Sequence, residues 1–119
     1  MNKNEWLKKA MERYNGCPLF NGREKGDIDE LTNEKVTLDA TYRFSSKDGN
    51  YHAFTVIEHP DKVYMSGGAL KELLNEAEDN GEIEDLCRDG LMFIIKPLIS
   101  VKSQSGRTFR PIEVVGFGR

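Results

Sequence analysis

The 119-residue sequence has few residues of the types that build metal and redox centres. Its two cysteines, Cys17 and Cys87, lie far apart and outside any CxxC or Cys/His spacing, so we expect two free thiols. Its two histidines, His52 and His59, have no metal-ligand spacing to a second histidine, a cysteine or a carboxylate. The sequence therefore predicts neither a metal site nor a cofactor.

Long apolar runs are also missing. No apolar segment reaches the roughly 18 residues that a membrane helix needs, and the N-terminal residues lack a hydrophobic stretch of signal-peptide length. The chain contains no internal repeat and no low-complexity tract. These absences favour a cytoplasmic protein with no membrane partner, and the length favours a single domain that spans residues 1–119.

Charge is distributed unevenly, although the net charge is only −3. Residues 69–89 contain eight acidic residues against Lys71 and Arg88, whereas residues 90–119 contain five basic residues against Glu113 alone. The last quarter is therefore the basic part of an acidic protein.

The N-terminal residues have helical periodicity. Residues 4–14 place their apolar side chains on one stripe, and a glycine and a proline then end the pattern. The stripe consists of Trp6, Leu7, Ala10, Met11 and Tyr14. This pattern predicts an amphipathic helix that packs on the domain, with the docking of a partner as the alternative. Residues 20–33 follow as irregular chain, with one helical turn that carries Ile28 and Leu31.

A first β-hairpin is predicted next. Residues 35–44 alternate apolar and polar side chains, as in a half-buried strand, and Asp48-Gly49 is a strong turn signal. The inward-facing residues of the first strand are then Val36, Leu38, Ala40, Tyr42 and Phe44. For a two-residue turn the predicted cross-strand pairs are Phe44–Ala53, Tyr42–Thr55, Ala40–Ile57 and Arg43–Phe54, the last of these on the outer face. A three-residue turn, the alternative, would bury Phe54.

The middle of the chain predicts a strand and a helix. Lys62–Met65 is a short third strand, and Ala69–Asp79 keeps helical spacing of its leucines until Asn80-Gly81 ends the run. Glu82–Asp89 is a polar connector, with one further helical turn as the alternative.

Residues 90–115 predict a second hairpin. Leu91–Val101 is apolar at most positions, as in a core strand that is buried on both sides, and Ser105-Gly106 is a turn signal before Thr108–Val115. The predicted pairs are Lys102–Phe109, Val101–Arg110 and Ile99–Ile112. This register again places a cation beside an aromatic ring on the outer face.

The resulting order of elements is strand, strand, strand, helix, strand, strand, with an extra N-terminal helix in front. This is the chain order of an OB-fold, a small Greek-key barrel. The predicted fold is therefore mostly β (α+β): a five-stranded OB-like barrel over residues 35–117, with a helix between strands 3 and 4 and a lead-in over residues 1–34. The loops at Ser45–Asn50 and Ser103–Arg107 would flank its binding groove.

The two hairpins together favour binding of single-stranded nucleic acid. Such binding uses aromatic faces for base stacking, worth about 1 to 3 kcal/mol per base, and cations along the phosphates. The predicted binding residues are Arg43, Lys47, Phe54, Tyr64, Lys96, Lys102, Arg107, Phe109 and Arg110. For Phe54 and Tyr64, burial in the core is the competing interpretation.

Short motifs in residues 36–115 resemble those of small OB-fold single-stranded-DNA-binding proteins and related replication accessories of phages and mobile elements. The motifs are Asp48-Gly49 with Tyr51, Ala53 and Phe54; Glu58 and Pro60; Tyr64 with Gly67-Gly68 and Leu70; and Lys102-Ser103 with Ser105-Gly106-Arg107 and Phe109. The resemblance implies binding of single-stranded DNA in replication or recombination, without a cofactor. Preference for RNA and self-association are alternatives that the sequence leaves open.

Two other functions remain as alternatives. A protein-interaction module, such as a phage-encoded inhibitor, would use the acidic residues 72–89 to imitate nucleic acid, or the N-terminal helix to dock. A nucleic-acid hydrolase would use His52 or His59 with nearby carboxylates, but no fixed acid–base pair or phosphate loop supports it. We therefore predict a non-enzymatic protein with no catalytic residues.

Overall fold

The structure of the protein is a computed structural model that describes residues 2–5, 19, 22–47, 49–100 and 108–119. The strands in this part of the chain are β1 (Glu24–Lys25), β2 (Lys35–Ser46), β3 (Gly49–Val56), β4 (Lys62–Met65), β5 (Leu91–Ile95), β6 (Ile99–Ser100), β7 (Thr108–Phe109) and β8 (Ile112–Phe117). The helices are a 3-10 helix (Ile28–Leu31), α1 (Gly68–Asp79) and α2 (Ile83–Asp89). Residues 3–5 are also helical, and residues 6–14 of the predicted N-terminal helix lie outside the described residues.

The elements with the clearest local periodicity are confirmed. The turn at Ile28–Leu31 is a 3-10 helix, β4 has the predicted bounds, and α1 begins one residue before the predicted helix and ends with it. Helix α1 buries Leu70, Leu74 and Ala77, which lie on one face because their spacing follows the helical repeat. The predicted connector at Glu82–Asp89 is helix α2, so its helical alternative is the correct one.

The predicted five-stranded barrel is wrong. The main sheet has six strands in the order β1-β4-β3-β2-β5-β8, with β1 and β4 parallel and the other pairs antiparallel. A barrel closes only when its first and last strands pair, whereas β1 and β8 form the two open edges of this sheet. Strands β6 and β7 form a separate two-stranded sheet. The fold is therefore α+β with an open mixed sheet.

A bulge at Asp39 divides β2 into two parts. Residues 35–37 pair with β5, and residues 38–46 pair with β3. Leu38 pairs with Val56, but Ala40 pairs with Thr55, which is the neighbouring residue on β3. Since neighbouring strand residues point to opposite faces, the bulge sends Leu38 and Ala40 to opposite sides of the sheet. The predicted single inward face is therefore wrong from Ala40 onwards.

The register of the first hairpin also differs from the prediction. Ser46 pairs with Gly49, so Gly49 belongs to the strand and not to the turn. The observed pairs are Phe44–Tyr51, Arg43–His52, Tyr42–Ala53 and Thr41–Phe54. The predicted pairing of Arg43 with Phe54 is therefore wrong.

The core lies between the sheet and the two α-helices. Phe54 is the central ring: its centroid lies 5.7 Å from that of Tyr64 and 6.1 Å from that of Phe93. Leu70 and Leu74 of α1 belong to the same buried cluster. Phe54 and Tyr64 are 0% and 1% exposed, so the competing interpretation that placed both rings in the core is correct.

The first strand of the second hairpin is shorter than predicted, and its residues have other partners. Strand β5 ends at Ile95, before Lys96-Pro97, because proline has no N–H for the ladder. Only alternate residues of β5 are buried, so one face and not both is covered. Ile99 pairs with Phe109, and Ile112 pairs with Ile95. The predicted pairs Lys102–Phe109 and Ile99–Ile112 are therefore wrong. The predicted turn at Ser105-Gly106 and the structure of Lys102 lie outside the described part of the chain.

The start of α1 packs directly on the backbone of Arg110. The Ala69 N–H donates a hydrogen bond to the Arg110 carbonyl oxygen at 3.0 Å. Gly68 has φ of +58°, and a Cβ atom there would lie 2.5 Å from the same oxygen. Both the backbone conformation and the close approach therefore require glycine at position 68.

Two smaller predictions concern the thiols and the membrane. Cys87 is a free cysteine, as predicted, and Cys17 lies outside the described residues. None of the helices in the described ranges combines the length and the apolar character needed to span a bilayer.

The opposite placement of two phenylalanines is testable. Phe54→Ala should lower the free energy of unfolding by about 3 to 5 kcal/mol, because it leaves a cavity in the core. Phe44→Ala should cost only about 1 to 2 kcal/mol, because Phe44 is half-buried on the other face. Urea unfolding followed by circular dichroism measures both, and equal losses would contradict the placement of the two rings.

Candidate functional site

Beyond the bulge, the β2–β3 hairpin has an aromatic side that faces away from the helices. Tyr42 and Phe44 of β2 and Tyr51 of β3 lie on this side, because each pairs across the hairpin with a residue of the same face. The ring centroids of Tyr42 and Phe44 are 5.3 Å apart, edge to face. Those of Phe44 and Tyr51 are 5.4 Å apart, with only 17° between the ring planes. We call these three residues the outer aromatic face.

The outer aromatic face continues into a small apolar cluster. Ala53 and Val63 are fully buried there, and Leu19 and Met65 pack partly buried against them. All three rings of the face are half-buried and keep part of their surface in contact with solvent. Because aromatic pairs gain about 0.5 to 1.5 kcal/mol beyond their burial, the three rings hold one another in place.

Two lysines border this side of the sheet. Lys47 is exposed directly after β2, and Lys25 is exposed on β1, where it pairs with Val63 and therefore shares its face. No described strand residue on this side has a carboxylate side chain. This holds for β1, β4, β3 and residues 40–46 of β2. The outer aromatic face thus combines partly exposed rings with one lysine at its turn, Lys47, and a second lysine, Lys25, at the β1 edge of the same side.

The other side of the same hairpin is fixed to α1. His52 is 1% exposed, and its Nε2 atom contacts Oε2 of Glu78 on α1. Arg43 Nη1 lies 3.5 Å from Glu78 Oε1. Asn75 of α1 donates a hydrogen bond to the Asn50 carbonyl oxygen at 2.8 Å. These contacts attach the helix side of the hairpin to α1, and the outer rings lie on its opposite side.

The nine predicted binding residues do not form one surface. Phe54 and Tyr64 are in the core and cannot stack on bases. Arg110 has a side chain only 11% exposed; it is ion-paired with Asp29, and its Nη1 atom lies 3.3 Å from Thr32 Oγ1. Arg110 therefore links the C-terminal residues to the 3-10 helix, and its guanidinium group is engaged in these contacts, unlike the free cation expected of a phosphate ligand.

The remaining predicted residues are spread over the molecule. Arg43 is paired with Glu78 on the helix side, and Lys96 and Phe109 are half-buried near β6 and β7. Lys102 and Arg107 lie outside the described residues. Of the predicted residues that are described, Lys47 is the one that borders the outer aromatic face.

Sequence reasoning missed Tyr42, Phe44 and Tyr51 as surface residues. The alternation of residues 35–44 assigned Tyr42 and Phe44 to the interior, and the bulge that reverses them is not marked by glycine or proline. One signal in the sequence could have identified this surface: three aromatic residues lie on either side of one hairpin turn, at positions that can share a face of the sheet.

Other reactive side chains are arranged as structural contacts. His59 Nε2 lies 2.7 Å from Glu34 Oε2. Burial raises the pKa of the Cys87 thiol, whose Sγ atom is 3.9 Å from Thr41 Oγ1. No group of three metal-ligating side chains occurs among the described residues. The absence of catalysis stays a prediction.

Comparison with family models, with curated proteins and with solved structures found no match for this chain. The resemblance to single-stranded-DNA-binding proteins therefore also stays a prediction.

The burial of Tyr64 predicts a loss of stability at high pH. Burial raises the Tyr64 pKa above its ordinary value, and Glu30, Asp61 and Glu34 raise it further. In the unfolded chain Tyr64 loses its proton near pH 10, whereas the folded protein keeps this proton to higher pH. The folded state then binds more protons than the unfolded state, so the free energy of unfolding falls as pH rises.

The contribution of neutral Tyr64 is complete below about pH 10 and is lost as pH rises through the raised folded value. Tyr64→Phe keeps the ring but removes the titration, so its stability should fall less than that of the wild type between about pH 9 and pH 11. Urea unfolding at both pH values measures the difference. An identical fall in the two proteins would show that Tyr64 titrates as an exposed residue.

Proposed function

We propose that the protein is a non-enzymatic binding protein for single-stranded nucleic acid, with DNA as the expected form. The bases stack on the outer aromatic face. The observation that supports this proposal is the contiguous arrangement of Tyr42, Phe44 and Tyr51 on the side of the sheet away from α1 and α2.

Stacking on this face does not require a closed barrel. Aromatic rings on an open antiparallel sheet can stack two or three bases, and every base offers a π-face, so such binding tolerates sequence changes. Neighbouring centroids of the outer aromatic face are 5.3 Å and 5.4 Å apart, so the three rings form one contiguous aromatic surface, in which Phe44 and Tyr51 are nearly parallel. The contacts of His52 and Asn75 with their partners attach the hairpin that carries this platform to α1.

The charge around the platform suits a polyanion. Lys47 follows β2 at the turn beside it, Lys25 lies on the same side of the sheet at the β1 edge, and the described strand residues of this side bring no carboxylate to it. Phosphate contacts release counterions, so affinity should decrease strongly as salt is added. Phe54, Tyr64, Arg43 and Arg110 are not part of this site, because the structure places them in the core or in ion pairs.

Replacement of one ring tests the platform. Phe44→Leu keeps an apolar side chain on β2 but removes the aromatic face, so it should weaken binding of oligo-dT and oligo-dA by similar factors, about 5- to 100-fold. Fluorescence anisotropy of labelled oligonucleotides at about 20 mM and about 200 mM salt measures the affinity and its salt dependence.

Phe117→Leu is the matched control, because Phe117 is an exposed phenylalanine on the helix side of the sheet. It should leave the affinity unchanged. Absence of any binding by the wild type at low salt would refute the proposed function. Equal losses in the two variants would refute the assignment to the outer aromatic face.

A further inference from the structure

A second surface lies on the helix side of the sheet, along the open edge formed by β8. Val114 and Phe117 of β8 are 53% and 57% exposed. They pair with Phe93 and Leu91, which are buried beneath the helices, so all four side chains are on the same face of the sheet. The helices therefore cover β5 but leave the neighbouring apolar residues of β8 open to solvent.

A cavity of about 190 Å³ lies beside Leu91, the cross-strand partner of Phe117. Its apolar walls are Leu73 and Ala77 of α1, Leu86 of α2 and Leu91 of β5. Leu91 lines the cavity and pairs with Phe117, so the cavity and the exposed residues of β8 are neighbours on the helix side of the sheet. We call the cavity, together with Val114 and Phe117, the edge groove.

The rim of the edge groove is acidic. Glu76 of α1 and Glu82, which directly precedes α2, line the cavity. Glu72 and Asp79 of α1 are exposed. Within the described residues, none of these four carboxylates forms an ion pair. The surface therefore offers an apolar floor beside unneutralised negative charge.

The edge of β8 is poorly suited to pairing with another strand. The register shifts between Met92 and Phe93, so Val115 is an extra residue opposite β5. Such bulges interrupt the ladder and protect sheet edges from strand addition. A helix laid into the groove needs no backbone ladder, because its apolar side chains make the contact.

We propose that the edge groove binds a basic amphipathic helix of a partner protein. The apolar stripe of that helix contacts Leu86, Val114 and Phe117, and its lysine or arginine side chains lie beside Glu76 and Glu82. The charge of the rim selects this partner, because an acidic or neutral helix would leave these carboxylates without a counter-charge. The groove lies on the opposite side of the sheet from the outer aromatic face, so the two surfaces can be occupied together.

A synthetic peptide tests the proposal. The probe is a fluorescently labelled amphipathic helix built of leucine and lysine, and the comparison peptide has glutamate in place of every lysine. The full-length protein should bind the lysine peptide at low salt, bind it more weakly at high salt, and not bind the glutamate peptide. Failure to bind the lysine peptide at low salt would overturn the proposal.

Variants locate the binding. Phe117→Ser should weaken the lysine peptide about tenfold, as loss of a central apolar contact does. Glu76→Lys with Glu82→Lys should weaken it by at least a similar factor. Glu24→Lys with Asp61→Lys makes the same change of charge at two exposed residues near β1 and β4, and should leave the affinity within about twofold of the wild type. Equal binding by all three variants would overturn the proposal.

Two further measurements separate this surface from other occupants. Phe44→Leu should bind the peptide normally, because it changes only the other side of the sheet. Sedimentation equilibrium of the protein alone should show a monomer. A dimer that Phe117→Ser dissociates would assign the edge groove to a second copy of the chain and overturn the proposal.

Discussion

The irregular pairing of β2 at Asp39 determines which side chains meet the helices and which meet solvent. Leu38 pairs with Val56 and Ala40 with Thr55, so the strand changes its inward face within two residues. Its first part contributes Val36 and Leu38 to the core, whereas its second part turns its aromatic residues outward. Strand β3 is covered on both sides as a result, and residues 52–56 are all buried.

The sequence predicted the elements that local periodicity defines. The span of β4 and the end of α1 are correct because each depends on residues within a few positions of one another. The pairing of the hairpins was not predictable in the same way, because it depends on where a turn begins and on an unmarked extra residue. Gly49 is read as a turn residue from sequence, but it belongs to β3. The prediction of a closed barrel was wrong for a related reason. The two-residue strand β1, which forms one edge of the sheet, has no signal in the sequence.

The types of residue in the candidate site were predictable from the sequence, but their positions in the fold were not. Aromatic residues near a hairpin turn were recognised, yet the bulge exchanged the buried and exposed sets, so Phe54 was expected outside and Phe44 inside. The count of charges along the sequence gave a misleading prediction for Arg110, because from sequence alone this residue looks like a free cation. In the fold its guanidinium group is paired with Asp29, a residue far earlier in the chain, and most of its side chain is covered. Such neutralisation between distant residues has no local signature.

The contact between the start of α1 and the backbone of Arg110 has a consequence for the order of folding. The acceptor of the Ala69 amide is made long after the helix itself, because residue 110 leaves the ribosome much later than residue 69. In the nascent chain α1 therefore begins with an unpaired amide beside a glycine that favours no particular conformation. The hydrogen bond at the start of the helix therefore forms only after residue 110 has been synthesised and has docked, so it does not help to nucleate α1 in the nascent chain.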